Sequence, residues 1–178
     1  KKRKFDIQKI DGLPEAFVTP PPEVEARIKE EGELVDRARK RDDARADFLQ
    51  GFDWPVGGRV SGVYGSQRIL NGKPRAPHWG VDVAAPLDTP ILSPAQGVVT
   101  LAADLYFSGW TVIVDHGHGL SSVFMHLDSL SVKDGQALKK GEVLGKLGAT
   151  GRATGPHLHW GLNLFETRLD PQLLVPPM

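Results

Sequence analysis

The chain has 178 residues, 40% of them hydrophobic, which suits one well-packed domain with an appendage and is short for two full domains. Its 22 Lys+Arg balance 22 Asp+Glu, so no long-range field draws it to nucleic acid or to an anionic membrane. The absence of cysteine excludes disulfides, thiolate zinc sites and cysteine nucleophiles, and no apolar run reaches the roughly 20 residues of a spanning helix.

The chain opens on Lys1 rather than Met, which reads as though an upstream segment has been removed. Lys1 to Lys4 form a basic cluster, read as a solvated end, with the flank of an upstream membrane anchor as the alternative. Phe5, Ile7 and Lys9 alternate as in a strand before the breaker Asp11-Gly12-Leu13-Pro14, and so short a segment is expected to end a missing upstream element. Thr19-Pro20-Pro21-Pro22 is a stiff connector that can start a helix, which assigns residues 1–22 to that element and its connector. From Glu23 to about Gln50, charges of both signs flank a sparse stripe of Val24, Ile28, Val35, Ala38 and Phe48 at near-helical spacing. One long exposed helix is predicted, weakened at Gly32 by about 1 kcal/mol relative to alanine. Its stripe is expected to pack on the main domain or on a second copy, or, in a sharper reading, to serve as a lid.

At Gly51 the composition shifts to short β-branched and aromatic runs, so residues 23–51 are taken as a charged helix and linker and 52–171 as the main domain. Strands are predicted at Trp54-Pro55, Arg59–Tyr64, Val81–Val83, Pro90–Leu92, Gly97–Thr100, Thr111–Val114 and Ser122–Met125. Many short strands with turn signals between them predict a mainly β fold, an antiparallel sheet or barrel-like structure, with an N-terminal helical segment. Gly135, Gly141 and Gly145 are placed at the turns of consecutive hairpins. The run from Glu166, with residues 172–178 as its end, is expected to be an irregular tail.

The chemistry gathers on histidines. In Gly148-Ala-Thr-Gly-Arg-Ala-Thr-Gly-Pro-His157-Leu-His159-Trp160, an extended chain after Pro156 points His157 and His159 to one face and Leu158 to the core. The loop's glycines do not form a phosphate cradle, which needs Gly-Lys-Ser/Thr opening a helix; they let the backbone turn and approach a ligand. In His78-Trp79-Gly80-Val81-Asp82, positions i and i+4 of an extended segment share a face, and Gly80 leaves room between them. His78, Asp82 and a histidine of the pair make a nitrogen and oxygen set with a fourth position for water, the composition of a catalytic zinc site. His126 and the remaining histidine are uncommitted, and in a chain without a His-Glu-x-x-His helix a histidine must move the proton. Singly, His78 with Asp82 could be a surface pair and His126 a histidine satisfied by a carbonyl; together, among only six histidines, they point to a metal. His116 and His118 are read as turn or rim residues, with His116 a candidate to stand behind a ligand.

His78-x-x-x-Asp82, Met125-His126-Leu127 and Gly151-Arg-Ala-Thr-Gly-Pro-His157-Leu-His159 resemble the lysostaphin-like zinc endopeptidases, the M23 peptidase family. Val81–Pro86, Pro94–Val98 and Asp115–Gly119 are similar to the same family's framework, and the resemblance runs from about Phe52 to Pro171. It implies a compact antiparallel β fold of the duplicated hybrid-motif type, with Zn2+ held by His78, Asp82 and His159 and with His126 and His157 as the catalytic pair. It also implies a metalloprotease that hydrolyses peptide cross-links of peptidoglycan through a metal-activated water, at the bacterial cell envelope, in the periplasm or outside the cell. Its partners would be peptidoglycan stem peptides, with an envelope protein or a second copy on residues 23–50, and no nucleic acid. Some members that have lost ligands only activate cell-wall amidases, whereas this chain keeps the set. Several members carry a tyrosine shortly before the first histidine; here Ile69 to Pro77 has none, which leaves Arg68, Asn71 or Tyr64 for the oxyanion. Two alternatives are a peptidoglycan-bound regulator whose N-terminal helix covers the groove and a histidine phosphocarrier, which would need neither Asp82 nor zinc.

Overall fold

The computed structural model describes residues 4–178, so the basic cluster lies outside the described residues except for Lys4. Strand β1 (Ile7–Ile10), a helical turn α1 (Glu15–Val18) and helix α2 (Glu25–Arg39) precede the main body. There follow β2 (Arg59–Gly62), β3 (Gln67–Leu70), β4 (Lys73–Pro74), β5 (Val81–Ala84), β6 (Pro90–Leu92), β7 (Gly97–Leu105) and β8 (Gly109–Asp115). The chain closes with β9 (Leu120–Leu130), β10 (Ala137–Leu138), β11 (Val143–Leu147), β12 (Leu158–Leu164) and β13 (Thr167–Leu169). The principal sheet runs β10-β7-β8-β9-β12-β5-β2, with β13 on β12 and with β11 bridging β9 to β6. The fold is mainly β and antiparallel, as expected; the one parallel pair among the described residues is β1 with β3, in a small sheet completed by β4.

The period of two along the central strands gives the sheet two faces. Val112, Val114, Phe124, Leu158, Trp160 and Leu162 point to one side and are buried in a single core with Val81, Val83, Ile91 and Leu144. The alternate positions Ile113, Val123, Met125 and His159 point to the other side. Part of that second face is covered by α2, whose Val35 and Ala38 pack on Leu101, Leu105, Ile113 and Val123. The remainder is left for the histidines.

Several expectations differ from the structure. The predicted helix to Gln50 stops at Arg39, although it passes through Gly32 unbroken. Beyond Lys40 tertiary bonds outcompete helical ones: Asp47 N–H donates to the His116 carbonyl at 3.2 Å, His118 N–H to the Asp43 carbonyl at 2.8 Å, and Arg45 pairs with Asp47 and buried Asp115. Only a 3-10 turn, Asp47–Gln50, remains of the second half. The strand-like alternation of the first residues does give a strand, β1, in register with β3 from Ile7 opposite Gln67. Trp54-Pro55 forms no strand; the Trp54 indole donates to the Pro176 carbonyl at 2.7 Å and packs edge-on against Trp160. The expected irregular tail forms β13 on β12 and a 3-10 turn, Pro171–Leu174, capped by Asp170 Oδ1 accepting from the Gln172 N–H at 3.1 Å. Gly135 and Gly141 do take φ of 82°, but β10 pairs with β7 and β11 with β6 and β9, so they do not turn one hairpin after another.

His116 is neither a rim residue nor a support for the site on the opposite face. It is fully buried in the core beside Phe52, with Nδ1 donating to the Gln96 carbonyl at 2.7 Å and Nε2 accepting from the Ser122 hydroxyl at 2.9 Å. Burial pushes its imidazole down to about 4. The unfolded chain therefore binds a proton there that the folded chain refuses; the stabilisation is complete above the ordinary histidine range and is lost as pH falls toward 4. This one group is expected to remove about 2 kcal/mol of stability between roughly pH 7.5 and pH 5. Denaturant unfolding of wild type and His116→Gln at both values checks it: the variant should be weaker at the higher pH and should show the smaller loss on acidification. Equal losses in the two proteins would refute the assignment.

Candidate metal centre

Asp82 and His159 are directly opposed residues of β5 and β12, on the face turned away from the core. An antiparallel register places such pairs closest, so two adjacent strands deliver a carboxylate and an imidazole to one spot without any loop. His78 reaches the same spot from the segment before β5. Its N–H donates to the Ser66 carbonyl at 2.9 Å, and its carbonyl accepts from Gly65 N–H at 2.7 Å. Gly80 is required between them: a Cβ there would lie 2.7 Å from His159 Cε1 and Nε2 and 2.6 Å from the Trp160 carbonyl oxygen.

The ligating atoms converge. His78 Nε2, Asp82 Oδ1 and His159 Nδ1 lie 2.9 Å from one another in all three pairings. His78 Nδ1 faces the Val63 carbonyl at 3.0 Å, which can only accept, so this nitrogen carries the ring proton and Nε2 presents a lone pair. The lone pair of His78 Nε2 thus meets a carboxylate and a second imidazole nitrogen at one buried point, a repulsive arrangement that a cation relieves. All three residues are less than 10% exposed. Burial works against charge on Asp82, but its imidazole contacts, that with His159 first, hold the carboxyl well below the usual carboxylate range, since His159 Nδ1 can turn a proton toward it where His78 Nε2 does not. Its second oxygen, Oδ2, accepts from Arg68 Nη2 at 2.6 Å. The donor set therefore fits a divalent metal.

His126 and His157 stand beside this cluster, with ring centroids 4.8 Å apart and His126 6.4 Å from His159. His126 is aimed by a bulge. Between the pairs Trp110–Leu127 and Val112–Phe124, strand β9 carries two residues where β8 carries one. His126 absorbs the extra residue at a φ of 64°, so Met125 and His126 both leave the core side while Phe124 and Leu127 stay in it. Nδ1 of His126 donates to the Thr150 carbonyl at 2.8 Å and Nδ1 of His157 to the Gly155 carbonyl at 2.9 Å, which leaves Nε2 of each ring as the free base. Burial, then the neighbouring His157 and His159, push His126 down to about 3, so it is held neutral.

All five residues line a groove of about 640 Å³. Of the three residues considered for the oxyanion, Arg68 alone lines it; Tyr64 is tied to the Arg168 carbonyl and Asn71 to both backbone groups of Leu13. Sequence reasoning missed the segment that crosses the groove. Residues 13–19 are bound on one rim by Asn71, Lys73 and Arg75, which donates to the Val18 carbonyl at 2.6 Å. On the other rim, Tyr106 donates to the Ala16 carbonyl at 2.7 Å and stacks on Phe17. No local pattern in Glu15–Val18 marks this role, because its partners lie more than 50 residues away. The close approach at Gly80 gives a direct test: Gly80→Ala should weaken divalent-metal affinity about 10- to 100-fold by displacing the His159 ring. Competition against a chromogenic chelator measures it, with the circular dichroism spectrum unchanged; wild-type affinity in the folded variant would show that the spacing does not matter.

Comparison with known proteins supplies the lineage. The profile of peptidase family M23 matches residues 76–171. The peptidoglycan DD-endopeptidase ShyA of Vibrio cholerae is 33% identical over 141 residues, covering 79% of this chain and 32% of that protein. A crystal structure from Pseudomonas aeruginosa assigned to peptidase M23 superposes with a TM-score of 0.75 at 43% identity, covering 86% of this chain and 62% of that one. A zinc-containing peptidase from Vibrio cholerae does so with a TM-score of 0.63 at 30% identity, over 67% of this chain and 38% of that one. The chain thus spans about a third of the length of the full-length relatives it matches. With the profile match extending over more than half of its residues and enclosing His78, Asp82, His126, His157 and His159, the chain belongs to peptidase family M23.

Proposed function

We propose that this chain is a zinc-dependent endopeptidase that hydrolyses peptide cross-links of bacterial peptidoglycan, with residues 52–171 as its catalytic unit. The observation that carries the reading is the convergence of His78 Nε2, Asp82 Oδ1 and His159 Nδ1 beside two histidines with free Nε2 atoms. Two nitrogens, one oxygen and no thiolate are the donor set of a catalytic rather than a structural zinc site. Zinc held by these residues supplies a Lewis acid that polarises the scissile carbonyl and makes water nucleophilic near neutral pH.

The chain's own groups do the rest. His126 and His157 are locked with the proton on Nδ1 and offer Nε2 to the attacking water: His126, held neutral, orients it, and His157 takes its proton and returns it to the leaving amine. Their carbonyl partners, Thr150 and Gly155, belong to the loop that leads into β12, so that loop aligns both bases. Arg68 keeps Asp82 Oδ2 engaged, which turns Oδ1 toward the two imidazoles. Supporting the substrate class, ShyA is named a peptidoglycan DD-endopeptidase, and supporting the metal, the Vibrio cholerae structure is of a zinc-containing peptidase. Such a substrate places the protein at the cell envelope, in the periplasm or outside the cell; among the described residues no helix is long and apolar enough to cross a membrane.

One observation favours a second reading, restraint of this activity by the N-terminal segment. Residues 13–19, not the long helix, join the two rims of the groove, and they are anchored by Leu13 and Val18 packed on Leu70. Helix α2 lies to the side on β7 and β8.

The full chain is expected to hold about one zinc and to release peptides from cross-linked peptidoglycan. His159→Ala should lose both properties, whereas His126→Ala should keep the metal and lose about 10²- to 10⁴-fold in turnover. Elemental analysis and chromatography of the digested wall separate these outcomes, and undiminished digestion by His159→Ala would sink the assignment. For the restraint, Val18→Asp should loosen residues 13–19 and raise hydrolysis severalfold; equal or lower activity in the folded variant would make the segment a mere brace.

A further inference from the structure

The groove carries charge of one sign although the chain as a whole is neutral. Arg68, Arg75, Arg152 and Arg168 all line it, and Asp82 is the single acid among the described lining residues. Arg68 is committed to that aspartate at 2.6 Å. The other three donate to neutral oxygens: Arg75 to the carbonyls of Pro74 at 3.0 Å and Val18 at 2.6 Å, Arg152 to that of Phe17 at 3.5 Å, and Arg168 to the Asn163 side chain at 3.3 Å. Arg152 is further fixed by stacking on Phe107, 4.9 Å from the ring centroid. Burial first, and then the charges of Arg68 and Arg75, pull the Arg152 guanidinium below its ordinary value, which places the three close enough to repel. Like charges gathered in a partly desolvated cleft cost stability, and packing alone gives no reason to keep them. A planar guanidinium is the side chain that reads a carboxylate by paired hydrogen bonds.

We propose that Arg75 and Arg152, backed by Arg68, form a carboxylate-reading wall of the groove, so that the substrate is a peptide cross-link flanked by free carboxylates rather than a neutral glycine bridge. The inference rests on the peptidase reading and narrows it to direct links between acidic stem peptides. Arg75 and Arg152 both line the groove with the ligands, and both hold adjacent carbonyls of one short segment, so they present two guanidiniums to the same stretch of a bound peptide. In the present conformation the carbonyls of Val18 and Phe17 fill these places as uncharged stand-ins. An acidic substrate competes with them through charge-assisted bonds, which are about twice as strong as neutral ones.

The test uses the full zinc-loaded chain and three peptides: a directly cross-linked stem-peptide dimer with free carboxylates, the same dimer with its carboxylates converted to primary amides, and a pentaglycine-bridged dimer. Wild type should cleave the free-carboxylate dimer with kcat/KM at least about tenfold above the amidated dimer and above the pentaglycine-bridged one, whose scissile bonds lie in an uncharged bridge. Arg75→Gln with Arg152→Gln should bring that ratio to within about twofold, mainly through KM, whatever the change in absolute rate from freeing residues 13–19. Equal cleavage of acid and amide by wild type, or a ratio unchanged in the variant, overturns the inference while leaving the peptidase reading intact. Should wild type cleave none of the three, that reading falls. Equilibrium binding then decides the inference by itself: tighter binding of the acid form, lost in the variant, supports it, and equal or absent binding overturns it.

Discussion

The site depends on one cross-strand pair. Asp82 and His159 face each other on β5 and β12, with their reacting atoms 2.9 Å apart, and nothing flexible intervenes. A pair on adjacent antiparallel strands inherits the rigidity of the hydrogen-bonded ladder, and the core beneath it, Val81, Val83, Leu158 and Trp160, is fully buried. His78 then needs only one additional anchor, the proton held toward the Val63 carbonyl, to direct its bare nitrogen at the same point. The chain thereby holds three ligand atoms at close quarters on strands that cannot separate without exposing the core.

The same sheet separates stability from chemistry. One face carries the apolar core and places buried His116 there, satisfied by a carbonyl and a serine and held neutral. The other face carries the ligands and His126, and it is the bulge at His126 that lets β9 serve both, sending Met125 and His126 one way and Phe124 and Leu127 the other. Two buried histidines, both with depressed imidazoles, thus differ in whether Nε2 has a partner. That of His116 is bonded to Ser122, and that of His126 is free.

Around this rigid centre the polypeptide adds a charged frame. Two arginines that line the groove donate to the carbonyls of Phe17 and Val18, so this segment and the groups proposed to read a substrate are engaged with each other. A ligand that took these guanidiniums would remove two of the bonds that hold the segment.

Much of this was legible in the residues. The alternation in Thr111–Val114 and Ser122–Met125 marked strands, the His-x-His spacing after Pro156 marked a shared face, and the His78-x-x-x-Asp82 spacing with Gly80 between marked a pair converging past a close neighbour. Each is a local statement about a chain of period two, and local periodicity is what a sequence carries. The helix from Glu25 was visible in its stripe, but its end at Arg39 was not, because Arg45 and Asp47 found partners in Asp115 and His116, some 70 residues on. The pairing of β1 with β3, the ordering of the last residues as β13, the aim of His126 and the crossing of the groove by residues 13–19 depend likewise on partners distant in the chain. The sequence alone thus determined which side chains could hold a metal and move a proton, since spacing and side-chain chemistry are written in it. Tertiary structure alone decided which strands oppose, which buried histidine has a bonded Nε2 and which a free one, and which segment lies against the groove's arginines, since those depend on register and on long-range hydrogen bonds that no short stretch encodes.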